Sequence, residues 1–170
     1  MLRTNLCFFI DNSSTPRRLL LGLKKKGFGK GRWNGIGGKK TDDETIDESA
    51  IRECVEEVGL KPTNLVKRGE LQYYYKNQKH MNTHCTIYTI DMWTGDLIES
   101  DEMSPKWWNL DSDSNSDNTD PLPYDLMWDD MKVWFPSFIN SDFKTATTTP
   151  TKFTSTNFYF DENDNLISHN

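Results

Sequence analysis

The chain has 170 residues, 35% hydrophobic and 12% aromatic, which predicts a single domain over residues 1–170 with a real core and leaves little room for a second. A net charge of −6 argues against a partner made of nucleic-acid polymer, because gripping that backbone takes many Lys and Arg against phosphate. The apolar opening LCFFI is too short for a signal peptide or a membrane span, and the odd, widely spaced Cys7, Cys54 and Cys85 form no CxxC pair, so a reducing, cytoplasmic setting with no membrane partner is expected.

Residues 3–10 and 18–23 are apolar, aromatic and β-branched enough for two strands, and the turn-rich DNSSTP between them predicts a hairpin. A Gly-rich loop follows, KKKGFGKGRWNGIGGK. From Asn12 to Thr41 there is no acid but nine cations, so a polyphosphate would meet positive charge here. The next segment reads as a helix. Thr45 with Glu48 forms a capping box, Thr41 with Glu44 a competing register, and Gly59 reads as the left-handed residue that ends the helix. Ile51, Cys54, Val55 and Val58 are its expected buried face.

Residues 65–76 and 83–92 predict two more strands, and 105–110 a short one. DSDSNSDNTD, residues 111–120, is a low-complexity loop too polar to order itself. Met131, Trp134, Phe135 and Phe138 recur at helical spacing, with Asp129 and Asp130 near the start and Pro136 kinking the helix or lying in its opening turns. TATTTPT reads as a loop and FTSTNFYF as the last strand. Alternating strands and helices without an internal repeat give an α/β class, a mixed sheet between helices in one α/β/α sandwich. His80 and His84 share an i, i+4 spacing, but on a loop and a strand, so structural roles are expected of them.

The chemistry concentrates in residues 38–60. Gly38, five residues, Glu44, seven residues, then Arg52-Glu53-x-x-Glu56-Glu57-x-Gly59-Leu60 is a pattern of fixed residue types at fixed spacing. In a helix, Glu53, Glu56 and Glu57 stand at i, i+3 and i+4 and crowd one face, where like charges repel. A divalent cation neutralises such a face. Carboxylate oxygens suit hard Mg²⁺, with Mn²⁺ as a substitute, and Mg²⁺ takes few protein ligands beside substrate phosphates. The segment therefore predicts metal-assisted phosphate chemistry.

This pattern resembles the Nudix box. Together with LLLGLKKKGFGKGRWNGIGGK, ESDEM at 99–103 and MWDDMKVWFP at 127–136, the chain is similar to the Nudix hydrolases that act on oxidised purine nucleoside triphosphates in animals. The resemblance implies cleavage of 8-oxo-dGTP and 2-hydroxy-dATP to monophosphate and pyrophosphate by a monomer. It implies that Glu53, Glu56, Glu57, the Gly37 and Gly38 backbone and Glu102 surround the metal. Glu57 would act as general base or bridging ligand, Arg52 would orient a neighbouring carboxylate, and Lys24 would approach the phosphates. Asn34 would hydrogen-bond the base and Trp128 stack on it, while Asn5 stands where the family has a threonine. Tyr73 and Tyr75 replace two phenylalanines of the base pocket. The family's two adjacent aspartates follow Trp-Pro. Aligning Trp128 and Trp134 puts Asp130 in the first acid position and Met131 in the second, whereas a one-residue shift restores an Asp129/Asp130 pair. Two alternatives stand beside this reading: the same chemistry on a dinucleoside polyphosphate, ADP-ribose or a diphosphoinositol, and a nucleotide-binding module without catalysis, whose signature would be a lost box glutamate.

Overall fold

The computed structural model describes residues 1–110, 122–140, 156–163 and 165–170. The hairpin forms as expected: β1 (Leu2–Asp11) pairs antiparallel with β2 (Arg18–Lys24). The chain continues through β3 (Trp33–Asn34), α1 (Ile46–Val58), β4 (Lys61–Pro62), β5 (Val66–Tyr75), β6 (Thr83–Ile90), β7 (Trp93–Thr94) and β8 (Met103–Asn109). It ends with α2 (Met131–Asn140), β9 (Thr156–Phe160) and β10 (Leu166–His169). The main sheet runs β10-β9-β5-β6-β1-β2-β3 with β8 also on β2, and a small second sheet pairs β4 with β7. It is mixed: β1 with β6 and β5 with β9 are parallel, and the other pairs are antiparallel.

Strand period sorts the core into two layers. Along β1, Leu6, Phe8 and Ile10 join Trp134, Phe135 and Phe138 of α2 on one side of the sheet. Cys7 and Phe9 join Ala50, Cys54 and Val58 of α1 on the other. The α/β/α sandwich follows from that alternation.

Several expectations are refined. FTSTNFYF does not supply the last strand, because β10 folds back antiparallel on β9 and lengthens the sheet edge. Pro136 is the sixth residue of α2, beyond the opening turn, where it cannot donate to the Lys132 carbonyl. The buried face of α1 is Ser49, Ala50, Cys54, Glu57 and Val58, while Val55 is 42% exposed and Ile51 half-buried. The helix lies with its 50/54/58 stripe on the sheet, so the stripe carrying Ile51 and Val55 turns outward. The polar loop at 111–120 and TATTTPT lie outside the described residues.

Candidate active site

Helix α1 starts where its first turn finds acceptors. Thr45 is its cap: the hydroxyl accepts from the Glu48 N–H at 3.2 Å, and the Glu48 carboxylate accepts from the Thr45 N–H at 2.7 Å. Glu44, of the other register, accepts from the Thr41 N–H at 2.8 Å, but ahead of the helix, and it is also bound to Arg52. Its carboxylate takes two parallel bonds from Arg52, 2.9 Å from Nε and 2.7 Å from Nη2, and the Arg52 guanidinium beside it holds its pKa down to about 2. Nη1 of Arg52 also reaches Glu53 at 2.9 Å and Glu56 at 3.0 Å. Arg52 is thus a hub tying three glutamates, with Nη2 on the Lys39 carbonyl at 3.1 Å.

The Gly-rich loop reaches α1 because β1 holds it. Asn5 N–H donates to the Gly38 carbonyl at 3.0 Å, and Cys7 and Ile36 exchange both backbone bonds. Gly37 has φ 152°, and a Cβ there would lie 2.4 Å from the Asn5 carbonyl oxygen, so no side chain fits. A Cβ on Gly38 would lie 2.6 Å from the Glu53 carboxyl carbon. These two glycines let backbone and carboxylates meet. Gly37 N–H donates to Glu57 at 3.0 Å.

The three box glutamates stand on one face as expected, Glu56 repelling Glu53 and Glu53 repelling Glu57, but their burial differs. Glu57 is 3% exposed, and burial pushes its pKa up to about 7 against the opposing Gly37 N–H and Lys24 ammonium. Burial also raises Glu53, partly offset by Arg52. The Glu56 side chain is 59% exposed. Among the described residues, no three His, Cys, Asp or Glu side chains converge closely enough to hold an ion unaided. The donor chemistry nevertheless fits a hard cation. The Lys24 ammonium lies 3.3 Å from Glu57 and 3.6 Å from Glu102, and Lys26 lies 3.5 Å from Glu102, so a positive charge already bridges carboxylates brought together from α1 and the β8 approach.

A cavity of about 230 Å³ runs from this corner between the sheet and the start of α2. Lys24, Asn34, Gly37, Tyr73, Tyr75, Trp128 and Asp130 all line it. Asn34 Oδ1 is fixed by the Gly35 N–H at 2.8 Å. Asn5 touches the wall, but its amide donates to Ser49 on α1 at 3.0 Å, making it a strut under the loop. Tyr75 stacks on Phe160 at 5.1 Å, and Tyr73 donates to Asp130 at 3.0 Å. The two possible registers at the start of α2 are resolved: Asp130 is buried in the cavity wall with Met131 beside it, while Asp129 points away, half-exposed, 3.5 Å from Lys132. The Asp129/Asp130 pair of the shifted register therefore does not form. Trp134, one turn on, donates to Asp130 at 3.0 Å and so fixes which acid faces inward.

Among the lining residues that the sequence did not mark for the pocket are Phe28 and Arg32. Phe28 stacks on Trp128 at 4.9 Å, and the Arg32 guanidinium lies 4.6 Å from the Trp128 ring. An aromatic between Gly27 and Gly29 in a polar loop was the available signal, since a half-exposed Phe there has no core to fill.

The NUDIX domain family matches residues 1–120, more than half of the chain. The chain belongs to the Nudix family. This Nudix chain is 41% identical over 122 residues to the oxidized purine nucleoside triphosphate hydrolase of Danio rerio, covering 71% of each. It is 36% identical over 155 residues to the protein of the same name from Mus musculus, covering 91% of this chain and 86% of that one. In fold it resembles a mutator MutT protein from Bacillus halodurans, with a TM-score of 0.75 and 19% identity over 100% of this chain and 97% of the other. Nudix hydrolases use divalent metal ions, and among the described residues no helix is long and apolar enough to cross a membrane.

Proposed function

We propose that this Nudix enzyme hydrolyses oxidised purine nucleoside triphosphates, such as 8-oxo-dGTP and 2-hydroxy-dATP, to the monophosphate and pyrophosphate, as a cytoplasmic monomer. The carrying observation is one cavity lined by Trp128 and Asp130 together with Lys24 and Gly37, with Glu57 3.3 Å behind the Lys24 ammonium, so that a flat base and a polyphosphate can bind together. The names of the mouse and zebrafish relatives support the substrate class.

Glu53, Glu56, Glu57 and Glu102, with the backbone of Gly37 and Gly38, would hold the metal. Mg²⁺, with Mn²⁺ as a substitute, supplies positive charge that polarises the phosphate oxygens and acidifies water. In the metal-free protein burial brings the Glu57 pKa to about 7, and a cation facing it would favour the ionised carboxylate that can accept a proton from water. Lys24, once another cation relieves Glu57 and Glu102, is free to meet phosphate oxygen. Arg52 keeps its place as a positioning residue, aiming Glu53 while bound to Glu44. Trp128 offers the base a ring to stack on, and Asn34 and Asp130 offer polar edges.

Hydrolysis of 8-oxo-dGTP in ¹⁸O water tests the reaction. Attack at the β phosphorus puts the label in pyrophosphate and leaves the monophosphate unlabelled. Orthophosphate and a nucleoside diphosphate as products would overturn the proposal.

A further inference from the structure

Tyr73 on β5 and Asp130 ahead of α2 are 57 positions apart and meet in the cavity wall. Asp130 is 4% exposed, and its Oδ2 takes two donors, the Tyr73 hydroxyl and the Trp134 indole N–H, both at 3.0 Å. Each donor has one hydrogen, and each is spent on Asp130. Burial raises the Asp130 pKa, and these two donors oppose that shift by favouring the ionised carboxylate. With its hydrogen committed, the Tyr73 oxygen can only accept from anything else. Met131, next in the wall, brings no polar hydrogen, and β6 brings Cys85, whose buried thiol is a weak donor at most. With Asp130 ionised, the polar wall formed by Tyr73 and Asp130 offers acceptors alone.

We propose that the Tyr73 hydroxyl is a specificity-determining group: by donating to Asp130 and favouring its acceptor form, it makes the pocket select purine edges that carry a ring N–H beside an amino group. This rests on the nucleotide reading above and deepens it. Guanine has that edge, and oxidation at C8 leaves it unchanged. Adenine lacks it, because its ring nitrogen there is a bare acceptor that would face the carboxylate. An adenine oxidised at C2 gains the ring N–H in its keto form and joins the accepted set. Tyr73 acts through Asp130 and is a positioning residue. Without its hydroxyl the buried carboxyl loses one of its two side-chain donors, its protonated form gains population, and that form can donate to the bare nitrogen of adenine.

The test is equilibrium binding of dGMP, 8-oxo-dGMP, 2-hydroxy-dAMP and dAMP to the full chain without metal, followed by tryptophan fluorescence. The wild type binds the first three at least about tenfold more tightly than dAMP, and Tyr73→Phe narrows that ratio by about tenfold. A purely structural role would weaken all four alike and leave the ratio in place. Asp130→Asn, whose amide can donate, narrows the ratio as well and serves if Tyr73→Phe folds poorly. An unchanged ratio in both variants overturns the inference even if the enzyme cleaves triphosphates as proposed. A ratio that narrows in a protein without triphosphatase activity supports the inference and refutes the reaction instead.

Discussion

Gly38→Ala separates catalysis from folding. The new Cβ would stand 2.6 Å from the Glu53 carboxyl carbon and one of its oxygens, and 2.7 Å from the other. Carbon atoms rest at about 3.5–4.0 Å, so the carboxylate must retreat by roughly 1 Å. A misplacement of about 1 Å at a reacting centre costs on the order of a hundredfold in rate. Stability should barely move. The displaced group is the end of a flexible side chain, at an off-rotamer cost of about 0.5–1.5 kcal/mol. Alanine offsets roughly 0.4–1 kcal/mol of this by restricting the unfolded chain. Gly37→Ala is the contrast. Its Cβ would stand 2.4 Å from the Asn5 carbonyl oxygen, at φ 152°, and the backbone of an interior strand cannot retreat. Strain of about 1–3 kcal/mol should lower Tm by several degrees. Initial rates on 8-oxo-dGTP across a Mg²⁺ titration, with thermal melts of both variants, check this. If Gly38→Ala keeps half of wild-type kcat, or melts as early as Gly37→Ala, the Glu53 placement argument is wrong.

Glu57→Gln should lower turnover at least about a hundredfold, as removal of a proton acceptor and metal ligand requires. In the metal-free protein its pKa of about 7 lies above the unfolded value of 4.5, so the native state binds the extra proton. Stability is therefore fully present below about pH 4.5 and falls by roughly 3 kcal/mol as pH rises through 7, and urea melts in EDTA at pH 5 and pH 8 should lose that difference in Glu57→Gln. Val58→Asp should unfold the protein by burying an unpaired carboxylate, whereas Val55→Asp should cost under about 0.5 kcal/mol by denaturant melt, since Val55 is exposed. Asp129→Asn should leave kcat/KM for 8-oxo-dGTP within about twofold, because that side chain faces Lys132 rather than the cavity; a loss as large as that of Asp130→Asn would contradict the register.

Local spacing was enough to read much of this protein. The capping box of Thr45 and Glu48, the left-handed Gly59, the β1–β2 hairpin and the box glutamates all depend on neighbours within one or two turns, and period 2 along β1 already held the two-layer core. The mixed sheet between helices follows from that pattern. What spacing could not supply was the rotation of α1 on the sheet, which buries Glu57, exposes Glu56 and turns Val55 outward. Three acids at i, i+3 and i+4 are equivalent along a chain and become unequal only against a partner surface. The same holds for contacts made at long range: Lys24 on Glu57, Tyr73 on Asp130 and Asn5 on Ser49 join residues 33, 57 and 44 positions apart. The choice of Asp130 over Asp129 was also tertiary. Either acid suits the start of a helix, and only packing Trp134 and Met131 into the core decides which one points inward, because one residue of helix is a turn of about 100°.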